Sequence, residues 1–237
     1  MKQKLKSWLK HAASNAPKSL QQELKRLHFR RQISRGVFVT NELEFNRLRE
    51  WVHEGDWVLD VGANIGHYTL RLSQLVGPSG RVFAFEPMAD TFELLAANVA
   101  RSHAGNVTLM NVAASESVGR AGMSLPVFDS GLDNYYMAGI TGGEGPINVV
   151  TMPIDFLQLP HRVSFVKIDV EGHELQAIRG MINLLKRDRP VLVVEGFSTE
   201  VADILSVAGY MFSDLPKSSN RIYHIEGLQR PVPAVRP

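Results

Sequence analysis

Between Trp57 and Thr69 the chain reads WVLDVGANIGHYT, and no other stretch limits the fold as strongly. Val58, Leu59 and Val61 form a short apolar run around Asp60. Gly62 and Gly66 follow, and Tyr68, Leu70 and Leu72 begin a helical period. That order predicts a buried parallel strand, a tight turn and a helix N-terminus. Glycine lets the main chain turn there and approach a ligand closely. The first N–H groups of the helix have no partner within it and are ready to meet an anionic group.

Spacing narrows the choice of ligand. A dinucleotide fingerprint places glycine at 62, 64 and 67. This chain has Gly62, Asn64 and His67, so the fingerprint fails at two of three positions. The observed pattern is Asp60-x-Gly62-x-Asn64-x-Gly66, which resembles motif I of the Rossmann-like methyltransferases that use S-adenosylmethionine. A second acid fits the same scheme. Arg81 to Glu86, RVFAFE, reads as the next strand and ends in Glu86, 86 − 66 = 20 residues beyond Gly66. Such folds place the carboxylate for the ribose hydroxyls there.

With 237 residues, 44% of them hydrophobic, the chain suffices for one large α/β domain and is short for two. It has no cysteine, which excludes disulfides and cysteine-ligated zinc and is compatible with a reducing, cytoplasmic setting. No apolar stretch has the length of a membrane span, and the lysine-rich start has no apolar core behind it, so no signal peptide is expected. The net charge of +2 conceals a division. Residues 1–35 hold ten Lys/Arg and one acid, hence +9; the remainder holds 16 Lys/Arg and 23 acids, hence −7. A mildly acidic body argues against nucleic acid as the main partner.

Three parts follow: a basic helical arm (1–35), a domain (36–227) and a loosely ordered tail (228–237). In the arm, Leu5, Trp8, Leu9 and Ala12 make an apolar stripe among lysines. It suits either the surface of an anionic membrane or, the favoured reading, packing on the domain or on the second subunit of a homodimer. Pro17 begins a second helix, 18–31, with Leu20, Leu24 and Leu27 on one face. Thr40-Asn41 reads as the cap of a helix through Phe45, Leu48 and Trp51–Val52. Glu42 and Glu44 either line a ligand mouth or sit solvated in its first turn.

Beyond it, strands at 57–61, 81–86, 107–112, 163–168 and 190–195 alternate with helices at 66–76, 88–102, 171–187 and 198–208. Ser213–Pro216 and Arg221–Ile225 close the sheet as an antiparallel hairpin. Asn111 and Ala113 stand at the third strand's end, where an adenine ring would lie; a plain turn role serves Asn111 equally. Residues 124–127 and 147–150 can pair as short strands around a glycine-rich loop with Tyr135 and Tyr136, either a substrate wall or loop packing. Six strands alternating with helices make a doubly wound, mostly parallel sheet with ligands at the strand C-terminal ends.

The second informative stretch is FVKIDVEGHE, 165–174. Asp169, Glu171, His173 and Glu174 crowd the end of one strand. DVGANIG (60–66), FEP (85–87) and KIDVEGHE (167–174), in this order, resemble the FkbM family of methyltransferases over about Glu42 to Phe197. The resemblance implies a class I Rossmann-like methyltransferase fold, S-adenosyl-L-methionine as cofactor, and O-methylation of a sugar, glycan or natural-product hydroxyl. It implies that Asp60, Gly62, Ala63, Asn64, Gly66, Tyr68, Thr69, Glu86, Asn111, Ala113 and Asp169 serve the cofactor, with Gly62, Asn64 and Gly66 at the methionine part, Thr69 at its carboxylate and Glu86 at the ribose.

The chemistry asks for a group that removes the acceptor's proton. Asp169, Glu171 and His173 are the catalytic candidates. Glu174 fits better as a complement to a helix N-terminus. Asp169 and Glu195, ending neighbouring strands, would suit Mg²⁺ if a metal were used, but a metal-free base is favoured. The alternatives to a methyltransferase are a nicotinamide-dependent oxidoreductase on a similar sheet and a non-catalytic cofactor-binding module recruited through the basic arm.

Overall fold

A computed structural model describes residues 16–127, 137–141, 143 and 145–227. In chain order the elements are α1 (Lys18–Ser34), α2 (Leu43–Arg47), β1 (Trp57–Val61), α3 (His67–Val76), β2 (Arg81–Phe85), α4 (Ala89–Ser102), β3 (Val107–Met110), β4 (Ala113–Ala114), β5 (Gly119–Ser124) and β6 (Gly139–Ile140). Then come β7 (Ile147–Met152), β8 (Val163–Ile168), α5 (Glu174–Arg179), α6 (Ile182–Asp188), β9 (Val191–Glu195), α7 (Thr199–Val207), β10 (Met211–Asp214) and β11 (Asn220–His224). The stripe at Leu5 to Ala12, the loop tyrosines Tyr135 and Tyr136, and the tail 228–237 lie outside the described residues.

The main sheet has the order β10-β11-β9-β8-β1-β2-β3. Strands β1, β2, β3, β8 and β9 are parallel, and β10 and β11 are antiparallel. The expected doubly wound sheet is therefore built from five parallel strands plus the hairpin. The central strands β1, β2, β8 and β9 are buried on both faces, which is why they read as nearly continuous apolar runs. Side chains alternate: Leu59 and Val61 join one core layer with Phe83, Val166 and Leu192, while Val58 joins the other with Leu72, Val82 and Phe165.

Chain direction across the sheet reverses between β1 and β8. From β1 the chain runs outward through β2 and β3, then returns to place β8 on the other side of β1. The crevice at the carboxyl ends of these two strands is where open α/β sheets bind ligands.

Several boundaries differ from the sequence expectation. The third strand stops at Met110; Ala113 and Ala114 pair instead with β7 in a second sheet, β4-β7-β5-β6, that the sequence did not reveal. The partner of β7 is Gly119–Ser124 rather than 124–127, in a register joining Met123 to Ile147. Pro126 has no N–H to extend that ladder. The single helix expected over 171–187 is two, because Gly180 is pressed against Ser115. A Cβ there would lie 1.9 Å from the Ser115 carbonyl oxygen, and that close approach interrupts the helix. Helix α2 starts at Leu43, with Glu42 in the cap position and Thr40 donating its hydroxyl to the Glu42 carboxylate.

The described part of the arm docks on the domain. Gln22 Nε2 donates to the Asp90 carbonyl, Arg26 pairs with Glu93 at 3.0 Å, and Phe29 and Ile33 join Phe38, Leu94, Leu95 and Val99. Leu20, Leu24 and Leu27 are on the outer side, about half exposed. No helix among the described residues is long and apolar enough to cross a membrane.

Candidate active site

The turn after β1 is built by conflict between backbone and side chain. Gly62 has φ +83°, and a Cβ there would lie 1.7 Å from the Asp169 carbonyl oxygen. Only a residue without a side chain lets the ends of β1 and β8 close this far. Asn64 also has positive φ, at 49°, which asparagine tolerates; its side-chain oxygen accepts the Ile65 N–H. The Asn64 N–H in turn donates to Glu86 Oε2 at 2.9 Å, and the Met88 N–H donates to Glu86 Oε1 at 3.0 Å. Glu86 is thus anchored by two backbone groups at the end of β2. Burial pushes its carboxyl up to about 7, against the pull of those two bonds.

A cleft opens above these strand ends. Of the expected residues, Asp60, Gly62, Ala63, Asn64, Tyr68, Glu86, Ala113, Asp169, Glu171, His173 and Glu195 line it. Three do not. Thr69 is fully buried and donates its hydroxyl to Asp60 Oδ2 at 2.5 Å, so it faces the core and not a methionine carboxylate. Asn111 uses its amide on the Glu86 and Pro87 carbonyls, a turn role. Gly66 shapes the left-handed entry to α3 behind the cleft wall.

The far wall carries a chain of charges. Lys167, 1% exposed, sits 3.1 Å from Asp169 Oδ2, with its ammonium 5.2 Å from the centre of the Tyr68 ring. Tyr68 donates its hydroxyl to Glu42 Oε2 at 2.6 Å. Burial draws the Lys167 ammonium down, but Asp169, Glu42 and Glu195 outweigh it and hold it above its ordinary value. Burial likewise pushes Asp169 up, and Lys167 overrides it, so the Asp169 carboxyl stays below the usual range. The hydrogen bond to Asp169, and then burial, push the Glu195 carboxyl up to about 9, so the two carboxyls are driven in opposite directions. Carboxylate oxygens of Asp169, Glu171 and Glu195 converge within 4.8 Å of one another, an arrangement able to hold a divalent cation.

His173 is half-withdrawn. Its Nε2 is 3.0 Å from Ser115 Oγ, and burial lowers its pKa, which favours the neutral ring. Glu174 accepts the Gly172 N–H at the start of α5 and is not on the cleft wall. Glu42 is on that wall, whereas Glu44 is fully buried and binds Ser218 and Asn220 at the start of β11. Sequence reasoning passed over His67, which lines the cleft with its pKa lowered to about 4 by burial. Its place directly after Gly66, in the first turn of the helix, was the available signal. Lys167 was likewise not assigned to the site; the apolar residues around it in FVKI mark it as a buried lysine in need of a carboxylate.

With this geometry in view, the comparison with known proteins is direct. The profile of the methyltransferase FkbM domain matches residues 60–213, more than half of the chain. The chain belongs to the FkbM methyltransferase family. The matched span starts at Asp60 of the glycine turn and ends in β10, so it takes in every carboxylate of the cleft except Glu42.

A relative named hexuronic acid methyltransferase AglP, from Haloferax volcanii, is 33% identical over 151 residues, 62% of this chain and 58% of its own length. The solved methyltransferase FkbM from Methylobacillus flagellatus KT superposes with a TM-score of 0.52 at 21% identity, covering 71% of this chain and 43% of that one. That likeness shows the fold: the α/β sheet is the Rossmann-like sheet of these methyltransferases. The chain spans roughly half the length of these two relatives.

Proposed function

We propose that the protein is an S-adenosylmethionine-dependent O-methyltransferase acting on a hydroxyl of a sugar, glycan or natural-product small molecule. One observation carries this reading: Gly62 and Asp169 touch, so the cofactor turn and the proton-accepting carboxylates share one cleft. The residues present fit the cofactor. Gly62 and Asn64 turn the main chain along the cleft wall, Glu86 presents a buried carboxylate at the end of β2, and Ala113, Met123 and Ile140 give an apolar slot. Gly62 and Asn64 would hold the methionine part, Glu86 the ribose hydroxyls, and the apolar slot the adenine.

When bound, the cofactor supplies a methyl group already activated on a sulfonium. The protein then has to orient the acceptor oxygen and remove its proton. Asp169 is the ionised partner of the Asp169–Glu195 pair and stands next to the glycine turn, so it is the base of choice. Glu171, beside it on the rim, is the second acceptor. Neutral His173 is held by Ser115 and positions the segment.

Calorimetry with S-adenosylmethionine and with NAD tests the reading. Heat with the first alone, and a loss for Glu86→Ala on the order of 1.5–3 kcal/mol, is expected. Heat only with NAD reverses the assignment. A second reading uses Mg²⁺ on Asp169, Glu171 and Glu195, whose convergence favours it. Turnover that disappears on exhaustive chelation and returns with Mg²⁺ selects that reading over the metal-free base.

A further inference from the structure

The cleft is strongly one-sided in charge. Glu42, Asp60, Glu86, Asp169, Glu171 and Glu195 line it, against one ammonium, that of Lys167. Lys167 is buried and bonded to Asp169 at 3.1 Å, so its charge is balanced within the wall. Beside it the described wall carries only two imidazoles, His67 and His173.

The roof of the cleft adds no positive charge either. Met123, Ala138 and Ile140 contribute to it, and β6 runs over Glu171, with a Cβ at Gly139 falling 3.0 Å from the Glu171 carbonyl oxygen.

We propose that this end of the cleft selects acceptors by charge: it admits neutral or amine-bearing acceptors and rejects anionic ones such as hexuronates, with Glu171 as the specificity-determining residue. This rests on the methyltransferase reading and deepens it. A carboxylate acceptor already carries the electron pair it needs, so it requires no base, but it requires a cation to hold it. A hydroxyl requires the reverse. Among the described residues the cleft offers several carboxylates, and its one ammonium is already paired with Asp169. Like charges placed a few ångströms apart in a half-buried site repel strongly, enough for discrimination of about 100-fold or more. Glu171 is the exposed member of the convergent trio, on the rim that an incoming acceptor passes.

The test needs no knowledge of the natural acceptor. Sinefungin carries a primary amine where the cofactor has its sulfonium methyl, and S-adenosylhomocysteine carries an uncharged sulfur. Calorimetry on the whole 237-residue chain, with chelator present, compares the two. Sinefungin is expected to bind at least about ten-fold more tightly. Glu171→Gln should shrink that ratio and Glu171→Lys should abolish or invert it, with the affinity for S-adenosylhomocysteine little changed. Equal affinities in the native protein, or a ratio indifferent to Glu171→Lys, overturn the proposal. Binding of neither compound removes the cofactor reading itself, and this inference with it. As a second measurement, product release with methyl glucoside, methyl glucosaminide and methyl glucuronide is compared; turnover of the glucuronide at a rate equal to or above the others overturns the proposal.

Discussion

Gly62 lies against the backbone carbonyl of Asp169 so closely that a Cβ at position 62 would stand 1.7 Å from that oxygen. The cofactor turn and the catalytic strand end are thus one packed unit. Gly62→Ala should separate β1 from β8 at their carboxyl ends and strain a residue at φ +83°. A loss on the order of 3 kcal/mol or more in urea unfolding is expected, with cofactor binding undetectable. A variant with native stability and affinity would refute this account of the turn.

Lys167 is the second joint. Lys167→Met removes the positive partner of Asp169 and leaves carboxylates facing one another in a largely buried wall. The expected cost is on the order of 3 kcal/mol, since breaking such a pair strands a charge. Adding Asp169→Asn to Lys167→Met should recover part of the loss, because the stranded charge disappears. Strictly additive losses in the double variant would show that the pair is not coupled.

Glu86 should give stability and binding opposite pH trends. Its folded pKa, about 7, lies above its ordinary value. A raised carboxyl contributes stability that is complete below the unfolded pKa and is lost as pH rises through the folded one. Urea midpoints should therefore fall between about pH 5 and 8, by an amount on the order of 3 kcal/mol from this group. Affinity for S-adenosylmethionine should rise over the same interval, as the ionised carboxylate becomes available to the ribose hydroxyls. Glu86→Gln should flatten both trends whatever its absolute stability. Slopes unchanged in the variant would assign them to another group.

Helix α1 reaches the cleft indirectly. Phe29 packs edge-on to Phe38, whose ring centre is 4.2 Å from that of His67 on the cleft wall. Deleting residues 1–15 should leave cofactor affinity and melting temperature unchanged. Deleting through Ser34 uncovers Phe38 and Leu94 and should lower the melting temperature by roughly 5–10 °C. Equal behaviour of the two truncations would mean that α1 only covers the surface.

What the sequence determined by itself was local and periodic. The run VLDV, the failed dinucleotide spacing at Asn64 and His67, the acid at 86 and the FVKIDVEGHE strand end sufficed for the sheet, the cofactor class and most of the cleft wall, because each is written in consecutive residues. Tertiary structure decided what depends on approach between distant segments. Thr69 turned inward because Asp60 was within its reach. The helix after Asp169 broke because Gly180 meets Ser115, 65 positions earlier. Asn111 went to the carbonyls of Glu86 and Pro87. The second sheet formed because Pro126 ends a ladder and Ala113–Ala114 finds β7. The pairing of Lys167 with Asp169, which holds Asp169 below the usual carboxylate range, also depends on contact: burial and charge act over a few ångströms in space, and sequence patterns record only positions along the chain.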